Sequence, residues 1–584
     1  MFKKRSLFVL IMILASILFF SCGGNESADD GEEASEPGFS IRMVEHSCVK
    51  NTINATSIKN LTSINFQLLK GTEEEVYKKS ISIYKEGIDA SIRLNDIPKE
   101  SGLTLVILGY GSNPSDPYWY GKVTNLDFVT TPKTAIDVIL YPTAAFYAET
   151  NLSINSACLP QGLLSPRFGH TATLLPDNRI LIAGGFTACN NGKCPAVKTV
   201  EILDLESGTV EQLSDMVEER GMHEAVLLSD GSVLMVGGFH GFGIRSLIID
   251  DSIPAVADFP ALSYNTMTAS MKIERYTPSY PKHNMAQNNV GNEVANITQE
   301  VFSTQALPFA RFQSIIAKTV TTTEQEKNGE PRRIMIYLAG GIDSGNIPLT
   351  KVSRIEIVDK SLIDGSVTIG EVKELASDAE LAAIMPSLGF AGDQLMVVGG
   401  RSNSSTSQAV LIDTSTGKIT DHPISNENNI FFTKTVNARD SVYMFGGYVS
   451  SEGLLPTNKI TRWTPETVQT SQDNLLVYNK NESTLAFPEI VFNNNAFLVI
   501  GGAGGSSKSD INVVHGNRLF QMFDATSLNS VQQATFTHFA RIMPKGVVVP
   551  AGVIGESPVL VITGGTTAFD GTGTLVDAIE FMNL

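Results

Sequence analysis

The chain has 584 residues, of which 42% are hydrophobic and 18% charged, a composition that excludes a disordered or fibrous protein and is ample for more than one folded domain. With 61 acidic against 43 basic side chains the formal charge is -18, a field that repels nucleic acid and anionic lipid surfaces and so argues against a nucleic-acid partner.

The first element is a targeting segment. Lys3, Lys4 and Arg5 precede an apolar core from Leu7 to Phe20, which stops at Ser21-Cys22-Gly23-Gly24. About fourteen apolar residues fall short of the roughly twenty that cross a bilayer, so residues 1–21 read as an export signal. The pattern resembles a bacterial lipoprotein signal. That resemblance implies acylation of Cys22, membrane contact through the lipid anchor only and, since Gly23 is not Asp, an outer-membrane lipoprotein that is surface-exposed or faces the periplasm. Residues 22–37 carry Glu26, Asp29, Asp30, Glu32, Glu33 and Glu36 without a basic or large apolar side chain. They are expected to form a disordered, self-repelling tether.

Residues 38–145 alternate apolar and polar side chains over Ser63 to Leu68, Lys79 to Tyr84, Ala90 to Leu94, Thr104 to Leu108 and Ala135 to Leu140. This period of two predicts a small β-sandwich. Tyr118-Trp119-Tyr120-Gly121 places aromatic rings on its surface or in its core. The domain resembles the immunoglobulin-like or transthyretin-like spacers that precede propellers in surface lipoproteins.

From residue 146 onward the chain repeats. Seven β-prone runs end in Gly-Gly: Ile180 to Gly185, Val233 to Gly238, Ile334 to Gly341, Leu395 to Gly400, Val442 to Gly447, Phe497 to Gly502 and Val559 to Gly565. Five have a tight-turn pair before them, such as Asp177-Asn178 and Asp230-Gly231, and an apolar stretch upstream, so each unit opens with a hairpin. The pairs stand 53, 103, 59, 47, 55 and 63 residues apart. A further strand follows each pair, as in Val200 to Asp204, Ile273 to Thr277, Arg354 to Asp359 and Ala578 to Phe581.

These segments resemble the kelch repeat, whose period is roughly 50 residues. Arg167-Phe168-Gly169-His170 and Arg220-Gly221-Met222-His223 look like its Arg-x-x-His opening, and Arg311 and Arg541 hold the arginine place in two more units. The resemblance covers about residues 160 to 584 and implies an all-β chain: a seven-bladed kelch-type β-propeller over 146–584, preceded by the sandwich. The segment Ala144 to Ser153 is expected to supply the outer strand of the last blade and close the ring. The insertion over 242–310 leaves an eighth, degenerate unit open.

Apart from Cys22 the cysteines number four, an even count that predicts disulfides in an exported protein. Cys189 and Cys194 flank a short polar loop, which leaves Cys48 to pair with Cys158. The spacing does not suit zinc, and neither a metal nor a cofactor is expected.

Long loops follow the glycine pairs, so one rim of the ring is the expected binding surface. Phe186, Phe239, His240, Phe242 and Tyr448 are candidates to line it, or else to pack between blades. Arg167, Arg220, Arg311 and Arg541 are candidates for a positive ring at the channel, or else partners of carboxylates. No catalytic residue stands out, because His170 and His223 recur in register, as do Glu201, Glu274, Glu356 and Glu580. The expected role is an envelope binding or scaffold protein whose rim takes a protein or glycan. The alternative is a carbohydrate-active enzyme of the mutarotase, epimerase or oxidase type, recognisable by an acid, base and polar cluster at the channel mouth.

Overall fold

The computed structural model describes residues 39–45, 62–70, 74–82, 92–95, 97–110, 117–129, 135–142, 162–190, 194–205, 209–242, 269–270, 272–278, 298–302, 313–343, 349–382, 386–400, 408–423, 430–431, 433–438, 440–449, 455–456, 459–464, 468–470, 487–504, 515–528, 535–551, 558–568 and 573–584. The export signal, the tether, Cys22, Cys48, Cys158, Arg311 and the segment Ala144 to Ser153 lie outside these residues. The chain is all-β, and it divides into two compact units, Met1–Leu159 with Val549–Leu560 and Phe581–Leu584, and Pro160–Val548 with Val561–Glu580.

In the first unit one hydrogen-bonded path runs through Glu74–Ser82, Ser63–Lys70, Leu103–Tyr110, Pro117–Leu126, Ala135–Pro142, Phe39–Glu45 and Ile92–Leu94. Ala135–Pro142 joins two neighbours, antiparallel to Pro117–Leu126 at Tyr141 and Pro142 and parallel to Phe39–Glu45 along Ala135 to Leu140. Ser63–Lys70 alternates as its sequence predicts, burying Ile64, Phe66 and Leu68. Leu103–Tyr110 does not: Leu103, Thr104, Leu105, Val106 and Ile107 are all buried, because this strand is covered on both faces. Ile41, Leu94, Leu126 and Val138 complete the same core. Each such side chain contributes roughly 1.5–3 kcal/mol.

The second unit follows from its glycines. Both members of all seven Gly-Gly pairs are left-handed, with φ of 61° and 101° at Gly184 and Gly185, a conformation that costs other L-residues about 1–2 kcal/mol. A Cβ at Gly184 would lie 2.3 Å from the Arg220 carbonyl oxygen of the next repeat. The pair thus ends the second strand and lets the neighbouring backbone approach: Gly185 N–H donates to Arg220 O at 2.8 Å, Gly502 to Arg541 at 2.7 Å and Gly565 to Arg167 at 2.8 Å.

Seven antiparallel sheets, here repeats 1 to 7, are built on these pairs. Repeat 1 comprises Thr171–Leu174, Arg179–Ala183, Val200–Asp204 and Val210–Gln212; repeat 2 comprises Glu224–Leu227, Val233–Val236, Ile273–Thr277 and Thr298–Phe302. Repeat 3 comprises Ser314–Thr319, Arg332–Ala339, Lys351–Lys360 and Ser366–Ile369, with Lys373–Ser377 also on Lys351–Lys360. Repeats 4 and 5 are Ser387–Ala391, Gln394–Val398, Gln408–Asp413 and Ile419–Pro423, then Lys434–Ala438, Ser441–Phe445, Ile460–Trp463 and Val468–Thr470. Repeat 6 has Glu489–Asn493, Ala496–Ile500, His515–Asp524 and Thr535–Arg541, with Ala503–Gly504 also on His515–Asp524. Repeat 7 has three strands, Lys545–Val549, Val559–Thr563 and Glu580–Asn583, of which Val549, Val559–Leu560 and Phe581–Asn583 belong to the first unit.

The 103-residue gap has a contributor that the glycine spacing did not suggest. Besides the long connection before Ile273–Thr277, repeat 3 replaces its tight turn by a helix, Thr323–Lys327. Thr322 and Gln325 form a capping box that holds it.

Hydrogen bonds pass from each repeat to the next. Ser229 N–H reaches Asp359 at 2.8 Å, Arg354 reaches Thr414 O at 2.6 Å, Ser387 Oγ reaches Thr433 O at 2.8 Å and Tyr443 OH reaches Ala525 O at 2.6 Å. Together with Gly185 to Arg220, Gly516 N–H to Thr567 O at 2.7 Å and Gly565 to Arg167, these bonds join consecutive repeats from 1 through 7 and a residue of repeat 7 to one of repeat 1.

Candidate functional site

One register position organises the site. Thr171, Glu224, Ser314, Ser387, Lys434 and Glu489 each pair with the residue just before their Gly-Gly, namely Ala183, Val236, Ala339, Val398, Phe445 and Ile500. Lys545 opens the corresponding strand of repeat 7. All of these except Thr171 line a single cavity of about 330 Å3, together with His170, His223, Gln313, Thr433 and Phe239. Segments scattered over some 375 residues of sequence therefore bring two lysines, two glutamates and several hydroxyls to one place.

At the cavity edge a second set recurs two residues earlier. Gly169, Met222, Phe487 and Met543 line it and all have positive φ, 61°, 51°, 52° and 49°. This lets Met222 N–H reach Gly169 O at 2.7 Å, Gly169 reach Met543 O at 3.2 Å and Met543 reach Phe487 O at 3.4 Å. Three non-glycine residues in this conformation, at roughly 1–3 kcal/mol each, mark a place where geometry is held against local preference.

The charges are arranged asymmetrically. Glu489 lies 3.4 Å from Lys434 Nζ and 3.3 Å from Lys545 Nζ, so one carboxylate bridges two ammonium groups. Burial alone would raise the Glu489 pKa, but the two lysines overcome it and hold the group below the usual carboxylate range. Lys434 is raised by Glu489, and burial lowers Lys545, with Lys434 adding to that while Glu489 opposes it. Glu224 stands apart, and burial pushes it up to about 7, against the opposing pull of Lys545 and Lys434 and of the Ala317 amide. Water still reaches these side chains through the cavity, about a third of Lys434 among them, although protein surrounds them.

His170 and His223 are held well below their ordinary value, first by burial, then by Arg167 and Arg220 respectively. They are neutral, and each hydrogen-bonds across a repeat boundary: His170 Nε2 to Thr563 Oγ1 at 2.9 Å and His223 Nε2 to Thr171 Oγ1 at 3.0 Å.

Arg167, Arg220 and Arg541 do not line the cavity as a positive ring, and Arg311 lies outside the described residues. Arg167, Arg220 and Arg541 are wholly buried, which corrects their assignment as ligand contacts. Each donates to the carbonyl of the first glycine of its own pair, Gly184, Gly237 or Gly564, and meets a third-strand carboxylate, Glu201, Glu274 at 3.6 Å or Glu580 at 2.8 Å. The left-handed turn strands that carbonyl, and the guanidinium fork satisfies it. Glu201 in turn accepts Leu164 N–H at 2.8 Å and Ser165 N–H at 2.9 Å.

Phe186 is likewise withdrawn from ligand contact. It is fully buried, 5.4 Å from the Phe168 ring, and fills the gap over Gly221, where a Cβ would lie 2.4 Å from its ring. Phe239 is the one of the rim aromatics with a described side chain that lines the cavity. His240 sits partly exposed, 3.6 Å from Glu219, away from it. The side chains of Phe242 and Tyr448 lie outside the described residues. Cys189 and Cys194 form a disulfide, and Cys194–Pro195 pairs with Gly241–Phe242 of the next loop.

Sequence reading missed Glu224, Lys434, Glu489 and Lys545. The available signal was positional: each is a charged residue opening a first strand, Glu224, Glu489 and Lys545 ahead of mostly apolar residues and Lys434 ahead of the mixed Thr435 to Ala438. Together they offer a carboxyl that exchanges its proton near neutrality, a bridged cation pair and hydroxyl donors, a set suited to holding a small polar molecule and to moving a proton on it.

No family model matches the chain, and no curated protein does. Among solved structures it is similar to one titled "Structure of YjhT", at 12% identity and a TM-score of 0.35, over 65% of this chain and 98% of that one.

Proposed function

We propose that this is a lipid-anchored protein of the bacterial cell envelope, in which residues 146–584 form a seven-bladed kelch-type propeller and 38–145 a β-sandwich, and that the axial cavity of the propeller binds a small polar ligand such as the end of a glycan. The order of hydrogen bonds through repeats 1 to 7 and on to repeat 1 supports the ring. The observation that carries the ligand site is the cavity itself, where four ionisable side chains from four different repeats converge in a largely protein-surrounded space although apolar residues would cost less there. A volume of about 330 Å3 suits a ligand the size of a single sugar ring. Saturation-transfer NMR of the full-length protein with a panel of monosaccharides tests this reading: transfer that disappears in Lys434→Met supports it, and no transfer from any sugar overturns it.

A second reading is an acid–base enzyme of the mutarotase or epimerase type. Glu224, held to about 7 and within the field of Lys545, favours it, because an acid of that strength both donates and accepts a proton at neutral pH. Anomer interconversion followed by polarimetry decides: an enzyme loses its rate in Glu224→Gln, whereas a binding protein leaves the interconversion at its uncatalysed rate.

A further inference from the structure

The cavity's charges also specify the ligand class, given the reading above that the cavity is a ligand site. We infer that the Lys434–Glu489–Lys545 bridge is a receptor for a small organic carboxylate, which docks against the two ammonium groups while the Glu224 carboxyl donates a hydrogen bond to it.

Glu489 bridges the two lysines at 3.3–3.4 Å, yet each ammonium has three donors. One carboxylate therefore leaves donors on both groups, and they converge on the cavity that Lys434 and Lys545 line. Ser314, Ser387 and Thr433 supply neutral hydroxyls around it. With Glu224 protonated, a neutral ligand would leave one of the two ammonium charges unbalanced by Glu489, and a cation would add to it.

The groups facing Glu224 fix the sign of the pH dependence. They are Lys545 on repeat 7, Lys434 on repeat 5, Glu489 on repeat 6 and, on its own repeat and the one before, the neutral His223 and His170. With Glu224 protonated, two lysines against Glu489 give the cavity one net positive charge; once it ionises, the net charge is zero. A bound anion thus favours the protonated form, and by linkage the site binds its anion more tightly when Glu224 carries its proton. Since the pKa of that carboxyl is about 7, affinity weakens as pH rises from 6 to 8.

D-glucuronate and D-glucose share a ring and differ by one carboxylate, so they make a matched pair of probes for calorimetry on the full-length protein. At pH 6 glucuronate is expected to bind at least tenfold more tightly than glucose, and about five- to tenfold more tightly than it does at pH 8. Glu224→Gln should flatten the pH dependence, and Lys545→Met should remove the preference. Equal affinity for the two probes overturns the carboxylate receptor while leaving the cavity as a sugar site. Binding of neither overturns both. A glucuronate preference independent of pH overturns the part assigned to Glu224. The comparison of probes on the unaltered protein stands even where a variant fails to fold.

Discussion

Repeats 7, 1 and 2 and repeats 4, 5 and 6 share one hairpin pattern but use its opening differently. Four residues before the cavity position the first group has Arg541, Arg167 and Arg220, where the second has Ala383, Ile430 and Leu485. The partner carboxylate changes with it: opposite the residue two before Gly-Gly stand Glu201 and Glu274, but Val410, Thr461 and Gln521 in repeats 4, 5 and 6. In these six repeats the buried ion pair is present whole or absent whole, as expected when one stranded charge costs several times more than losing both. Arginine-clasped repeats secure the backbone, whereas the second group joins its neighbours through hydroxyls; both supply cavity charges, Glu224 and Lys545 from the first and Lys434 and Glu489 from the second.

Removing one half of a clasp breaks the comparison most severely. Arg541→Ala leaves Glu580 buried without its cation and frees the Gly564 and Ala578 carbonyls, so urea denaturation should show a loss of about 3–5 kcal/mol. The double replacement Arg541→Met with Glu580→Leu, which imitates the second group, should recover most of that. A loss under about 1 kcal/mol in the single variant would remove the distinction between the groups.

The glycine pairs provide the next largest effect and carry their own control. Gly184→Ala combines φ of +61° with a Cβ 2.3 Å from the Arg220 carbonyl, whereas Gly392→Ala, at φ of +60°, meets nothing within 4 Å. The first should cost about 3 kcal/mol and the second about 1 kcal/mol by chemical denaturation. Equal costs would mean that backbone approach between repeats does not set the motif.

Glu224 belongs to a clasped repeat but serves the cavity, which a pH series can expose. Its folded pKa, about 7, lies above the ordinary value of about 4.3. Folding is therefore unopposed below about 4.3; as pH rises through that value the unfolded chain releases a proton that the folded protein retains, and the full cost is reached above 7. Glu224→Gln has no proton to lose. It should be more stable than the parent at pH 8 by about 2 kcal/mol, allowing for the water that reaches the side chain. The gap should close toward pH 4.5 in thermal melts, and a constant gap would contradict a pKa near 7.

What the sequence disclosed follows from what repeats. Gly-Gly is legible because left-handed backbone leaves a residue-specific mark at every unit, and Glu201, Glu274 and Glu580 are legible because they recur on one strand. The cavity position holds Thr171, Glu224, Ser314, Ser387, Lys434, Glu489 and Lys545, a hydroxyl in three units, a carboxyl in two and an amine in two, with no fixed residue. The varied side chains conceal it, and only the cross-strand register shows Thr171, Glu224, Ser314, Ser387, Lys434 and Glu489 to be equivalent. His170 and His223 read as structural because they recur, while Thr171 and Glu224, immediately after them, do not recur and so leave no mark. Phe186 misled for a related reason: an aromatic beside a glycine pair reads as a rim residue until Gly221 is found beneath it.

The smallest predicted effect tests how the unclasped repeats are joined. Ser387 Oγ donates to Thr433 O at 2.8 Å and lies 2.6 Å from Thr433 Oγ1, the kind of neutral contact that stands in for an arginine clasp there. Ser387→Ala should cost about 1 kcal/mol, a third or less of the loss from Arg541→Ala. Because Ser387 also lines the cavity, the same variant should alter ligand affinity, whereas Arg541, buried behind the strand openings, should change stability far more than affinity. If the two variants move stability and affinity in the same proportion, holding the ring together and lining the cavity are not separate tasks, and the division between the two groups of repeats fails.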